Sequence, residues 1–111
     1  MYLIDTNIFL EILLEQEKSK ECEALINKIA QSDSTFYVSS FTIHSIEVIM
    51  TKHSNINELS EFLLDIISSK IIKMDTSISD ESDAIKNVEK FKLDFDDSLQ
   101  LHICKSTIFK L

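Results

Sequence analysis

The chain of 111 residues contains no glycine, no proline and no tryptophan. Without glycine, any turn that needs a positive φ must put a side chain there, and Asn, Asp and Ser are the residues expected to serve. Arginine is absent as well. All eleven basic side chains are lysines, so no planar guanidinium is available to grip a phosphate through two parallel hydrogen bonds. Long apolar runs are missing, and nothing approaches the roughly 18 consecutive apolar residues of a membrane span. Met1 to Leu14 holds Asp5 and Glu11 and no cation, unlike a secretory leader. The only cysteines, Cys22 and Cys104, lie far apart with no Cys or His at ligand spacing. A zinc site and a disulfide framework are therefore not expected, both thiols read as small buried hydrophobes, and the natural compartment is a reducing cytoplasm without membrane attachment.

What is present is an ordinary globular mixture, 44% hydrophobic and 27% charged residues, in a length that suits one domain over 1–111 with its own core. Nineteen acids against eleven bases leave a net charge of −8. Such a surface repels nucleic acid at long range, so contact with it would depend on local lysines or on cations that neutralise the carboxylates.

Periodicity places the elements. Tyr2 to Asp5 reads as a short buried strand, followed by a helix over Asn7 to Leu14 that Thr6 or Asn7 would cap. A second helix near Ser19 to Ala30 carries Cys22, Leu25, Ile26 and Ile29 at spacings of three and four. Phe36 to Ser39 is the second strand, and a helix begins at Ser40 with Ile43, Ile46, Val48, Ile49 and Met50. Another starts at Asn57 with Leu59, Phe62, Leu63, Ile66 and Ile67. Lys70 to Met74 forms a third strand, ending in Asp75. A helix from Ser79 to about Phe91 has its acids early and its lysines late, as the helix dipole prefers. After a link at Lys92 to Phe95, Asp96 begins the last helix, with Leu99, Leu101, His102, Ile103 and Ile108. Strands separated by helices imply parallel pairing and right-handed crossovers. The expected fold is α/β, a three-layer α/β/α sandwich around a central parallel sheet.

Two segments carry chemistry. In Tyr2-Leu3-Ile4-Asp5-Thr6-Asn7 an apolar run ends in an acid, which puts a carboxylate at a strand tip, where open α/β sheets bind their ligands. In Lys92-Leu93-Asp94-Phe95-Asp96-Asp97-Ser98-Leu99 three acids fall within four residues where a helix should begin. Helix capping alone would explain these acids, at about 0.3 to 1 kcal/mol for an acid in the first turn. Joined with Asp5 in one crevice, they would instead form a site for Mg²⁺ or Mn²⁺, hard cations that take oxygen ligands and keep waters. The three histidines, His44, His53 and His102, have no Ser or Cys arrangement suggesting a triad, and His102 reads as a hydrogen-bonded, partly buried residue.

Strand, Asp, Thr, Asn and apolar helix at one end, and Asp97-Ser98-Leu99 at the other, resemble PIN domains, the small metal-dependent nucleases that include the VapC-type toxins. The resemblance implies Asp5 and Asp97 as catalytic metal ligands, with Asp96 sharing the role or only capping, and Thr6 and Asn7 orienting Asp5 or a water. It implies RNA as substrate, an antitoxin protein as partner and a possible homodimer. The family's third acid follows a Thr by three residues on the helix after the second strand. Here Ser45 stands at that spacing from Thr42, and the nearest acid, Glu47, lies two residues further, about 200° around the helix. Glu47 is kept as a candidate ligand. The family's closing strand would start at Phe109-Lys110-Leu111, where the chain ends, so the expected fold is PIN-like but lacks the last strand region. Two other readings stay open. One is a catalytically degenerate binding or assembly module of the same fold. The other is a receiver-like phosphoacceptor, against which stands the lack of a further acid pair after the first strand.

Overall fold

The computed structural model describes residues 2–106. Its strands are β1 (Tyr2–Leu3), β2 (Phe36–Ser39) and β3 (Ile72–Met74), and its helices α1 (Thr6–Leu13), α2 (Ser19–Gln31), α3 (Ser40–Lys52), α4 (Ile56–Ser68), α5 (Ile78–Phe91) and α6 (Phe95–Ser106). The strands form one parallel sheet in the order β1-β2-β3, with Tyr2 beside Phe36 and Tyr37 beside Ile72. The proposed strand start at Phe109 to Leu111 lies outside the described residues.

Side-chain alternation along the strands divides the core in two. Ile4, Phe36 and Val38 point to one face, where they meet Phe9 of α1, Ile29 of α2, Ile43, Ile46 and Met50 of α3 and Phe62 of α4. Leu3 joins the opposite face with Ala84 of α5 and Leu99 and Ile103 of α6, and Tyr37 and Met74 pack against that cluster. Helices on both faces of a parallel sheet make the expected three layers. They also leave the strand ends free at one edge.

Several boundaries shift by a residue or two, each because a different side chain wins the capping bond. Asp5, extended at φ −70° and ψ 143°, accepts the Asn7 N–H and caps α1, so neither Thr6 nor Asn7 is the cap. The third helix, by contrast, starts at Ser40 as expected, with Ser39 as its cap accepting the Thr42 N–H. Ser77 caps α5 in a reciprocal box with Asp80, starting that helix at Ile78 instead of Ser79. The last helix begins at Phe95, because Asp94 Oδ1 accepts the Asp97 N–H at 2.9 Å. That frees Asp96 from capping.

Positive φ falls on Glu15 (50°), Ser54 (57°) and Lys92 (54°). Only Ser54 belongs to the residue types expected there. A left-handed residue with a Cβ costs about 1–2 kcal/mol, and with no glycine in the chain the terminating turns must bear it.

A carboxylate pocket at the strand ends

β1 delivers Asp5 to the carboxyl edge of the sheet, and α6 starts against the same edge because Leu99 and Ile103 are buried on Leu3. Leu3, Asp5, Leu93, Asp97, Gln100 and Leu101 line one pocket of about 310 Å³. The structure thus brings together the two acids that lie 92 positions apart in sequence. Asp97 is exposed, Asp5 half-buried.

Asp96, next on the helix, turns toward Asp5 by another route. Gln100, only 5% exposed, donates from Nε2 to Asp5 Oδ1 at 3.2 Å and to Asp96 Oδ1 at 3.3 Å. Asp5 Oδ1 also accepts the Asn7 N–H at 3.3 Å. Both donors fall on the same oxygen, and among the described residues no hydrogen bond reaches Oδ2.

Behind these acids lies a buried chain of hydroxyls. Ser39 Oγ donates to Thr42 Oγ1 at 3.1 Å, and Thr42 Oγ1 meets Thr6 Oγ1 at 2.7 Å. All three residues are at most 4% exposed. The Thr6 hydroxyl also favours the ionised form of the Asp96 carboxyl. Thr6 Oγ1 is thus engaged with Thr42, while Asn7 bears on Asp5 through its backbone N–H and its side chain is exposed.

Glu47 is not among the residues that line this pocket. It lies further along α3, where its Oε1 meets His44 Nδ1 at 2.9 Å. Its register explains this placement: Thr42 and Ile46 are fully buried, and a residue one step beyond Ile46 turns about 100° away from it.

Crowding of like charge is visible in the acids. Burial raises the Asp96 carboxyl above its ordinary value, with Asp5 and Asp94 pushing the same way and Thr6 and Gln100 pulling against them. Asp97 is raised by desolvation and then by Asp94, Asp5 and Asp96. A group whose folded pKa is raised prefers its proton in the folded state, so its ionised form subtracts stability once pH climbs through that raised value. In metal-free buffer at neutral pH, Asp96→Asn is accordingly expected to raise the thermal midpoint. The gain should fade as pH falls below the ordinary carboxylate pKa of about 3.9, a comparison that melting curves across pH decide.

Gln100 and Thr42 were not singled out from the sequence. Gln100 had a readable signal, since it stands four residues after Asp96 and three after Asp97, the spacings that share a helix face. Thr42 had only its spacing to Ser45. His102, 19% exposed at its side chain, meets Asp80 Oδ1 at 3.1 Å and so ties α6 to the start of α5. That contact contributes to holding Asp80 below its ordinary value, after the Ser77 backbone bond.

Among the described residues no three His, Cys, Asp or Glu side chains converge closely enough to hold an ion by themselves. A cation in this pocket would rest on two carboxylates and complete its shell with water, a common arrangement for Mg²⁺. Oxygen donors, mutual repulsion and an Asp5 Oδ2 that takes no hydrogen bond among the described residues suit that description. No helix among the described residues is long and apolar enough to cross a membrane.

In comparison with known proteins, the family model described as PIN domain matches residues 2–111. No curated protein and no solved structure matches the chain.

Proposed function

The chain belongs to the PIN domain family, whose members are generally nucleases, and on that premise we propose that it is a metal-dependent endoribonuclease acting on single-stranded RNA. The observation that carries the reading is the meeting of Asp5 and Asp97 in one pocket at the carboxyl edge of the sheet. Asp5 and Asp97 would hold Mg²⁺ or Mn²⁺, with Asp96 beside them. Glu47, engaged with His44, is left outside the ligand set. The chemistry that the cation supplies when bound is activation of water and relief of negative charge at the scissile phosphodiester.

The remaining tasks belong to side chains. Asp5 and Asp97 orient the reaction from two elements, a strand end and a helix start. Leu93 and Leu101 give the pocket an apolar side on which the sugar or base of an unpaired nucleotide can rest. With no arginine in the chain and a net charge of −8, the protein has little to attract a phosphate backbone over distance. Binding would then depend on the cation, and double-stranded RNA, read largely through phosphate and 2′-hydroxyl contacts, is disfavoured. The likeness to VapC-type proteins extends the proposal to a toxin role in the cytoplasm, with an antitoxin partner and a homodimeric state.

The test is cleavage of a labelled single-stranded RNA with Mn²⁺ and with EDTA. Chelation is expected to stop cleavage, and equal rates in both would sink the proposal. A second reading, a binding module without nuclease activity, is favoured by one observation, the lack of three converging metal-binding side chains among the described residues. It predicts that the protein takes up no Mn²⁺ in a calorimetric titration.

A further inference from the structure

Gln100 is nearly inaccessible to solvent, yet its side-chain amide reaches two acids that come from opposite ends of the chain. A buried glutamine leaves its polar atoms unsatisfied unless it finds partners. Here each bond from Nε2 falls on an oxygen that already belongs to the acidic cluster. Asp5 Oδ1 takes Gln100 Nε2 and the Asn7 N–H together, so that oxygen is committed and the carboxylate's rotation is set. Oδ2 is left without a hydrogen bond among the described residues. A side chain with no formal charge thus ties two like charges together where a lysine would neutralise one of them.

We propose that Gln100 is a positioning residue for the cation site: its amide bridges Asp5 and Asp96 through their Oδ1 atoms and leaves Asp5 Oδ2 to face an incoming divalent cation. This rests on the reading of the pocket as a metal site. The bridge persists when the cation is bound, because the two N–H bonds and the cation use different oxygens of Asp5. Outer partners of this kind typically change metal affinity by about 10–100-fold when removed. Gln100 touches neither substrate nor cation in this role.

The test is calorimetric titration of Mn²⁺ into the wild-type protein and Gln100→Met, a substitution that keeps the length of the side chain and removes its donors. The expected result is a Kd weaker by about tenfold in the variant, with the far-ultraviolet circular dichroism unchanged. Equal or tighter binding by Gln100→Met overturns the proposal, tighter binding meaning that the amide competes for the ion. Failure of the wild-type protein itself to bind Mn²⁺ overturns the metal reading, and with it the cation-positioning role. Hydrogen exchange of the Gln100 side-chain amide in EDTA-treated wild-type protein supplies a second measurement that no folding defect can confuse. Slow exchange is expected of the bridged amide, and exchange as fast as that of a surface glutamine overturns the bridge whatever the ion does.

Discussion

Asp5→Asn is expected to lose RNA cleavage by well over a hundredfold while leaving the fold intact. The two halves of that expectation have separate causes. Asp5 does two jobs through its two oxygens: Oδ1 accepts the Asn7 N–H and caps α1, and the negative charge belongs to the pocket it shares with Asp97. Asparagine keeps an oxygen acceptor and ranks with aspartate as an N-cap, so the helix start should lose only a few tenths of a kcal/mol. The charge is gone, however, and a site with two lining carboxylates has no spare one. Loss of a direct ligand should exceed the roughly 10–100-fold that loss of an outer partner costs. Asp5→Ala removes cap and charge together, and should show the same loss of cleavage with about 1 kcal/mol of added instability. Cleavage rates of both variants beside their melting curves separate the roles. A fully active Asp5→Asn would mean that the carboxylate at the strand tip is only a helix cap.

Leu99→Ala is expected to cost about 2–5 kcal/mol of stability, the range for a leucine deleted from a core. Leu99 is fully buried against Leu3, Ala84 and Ile103 in the smaller of the two core clusters. Among the described residues that cluster has four buried members, with Tyr37, Phe41, Met74, Phe95 and Cys104 packed around them, and a void at its centre removes contacts from several of these at once. Against a total stability of about 5–15 kcal/mol for a typical domain, such a loss should be plain in a denaturant titration. Activity should suffer too, since α6 carries Asp96, Asp97 and Gln100, and its seat on β1 sets their distance from Asp5. Small misplacements of reacting groups cost rate steeply. Val48→Ala, on an exposed valine of α3, serves as a comparison and should stay within about 0.5 kcal/mol. If Leu99→Ala unfolds no earlier than Val48→Ala, the second cluster does not anchor the site.

Much of the architecture was legible in order and spacing. Apolar periods of two and of three to four mark the strands and helices of the described residues, since both backbones repeat locally and side chains alternate with them. Helix starts were less legible. Runs such as Ser77-Ile78-Ser79 and Asp94-Phe95-Asp96-Asp97 offer several side chains able to cap, and the choice among them depends on which neighbour's N–H is free and how the helix is seated. The one-residue shift at α6 matters for the site, because capping by Asp94 releases Asp96 toward Gln100.

The sequence by itself determined that this is an α/β chain of the PIN kind, with an acid at the first strand tip and acids at the last helix start, because those features are local and carried by consecutive residues. Only the tertiary structure decided which acids share a pocket. Asp5 and Asp97 meet because α6 packs on β1 through Leu99, whereas Glu47, adjacent to the fully buried Ile46, is turned toward His44. The bridge from Gln100 to Asp5 likewise spans 95 positions, a distance closed by packing of the whole chain and by nothing local.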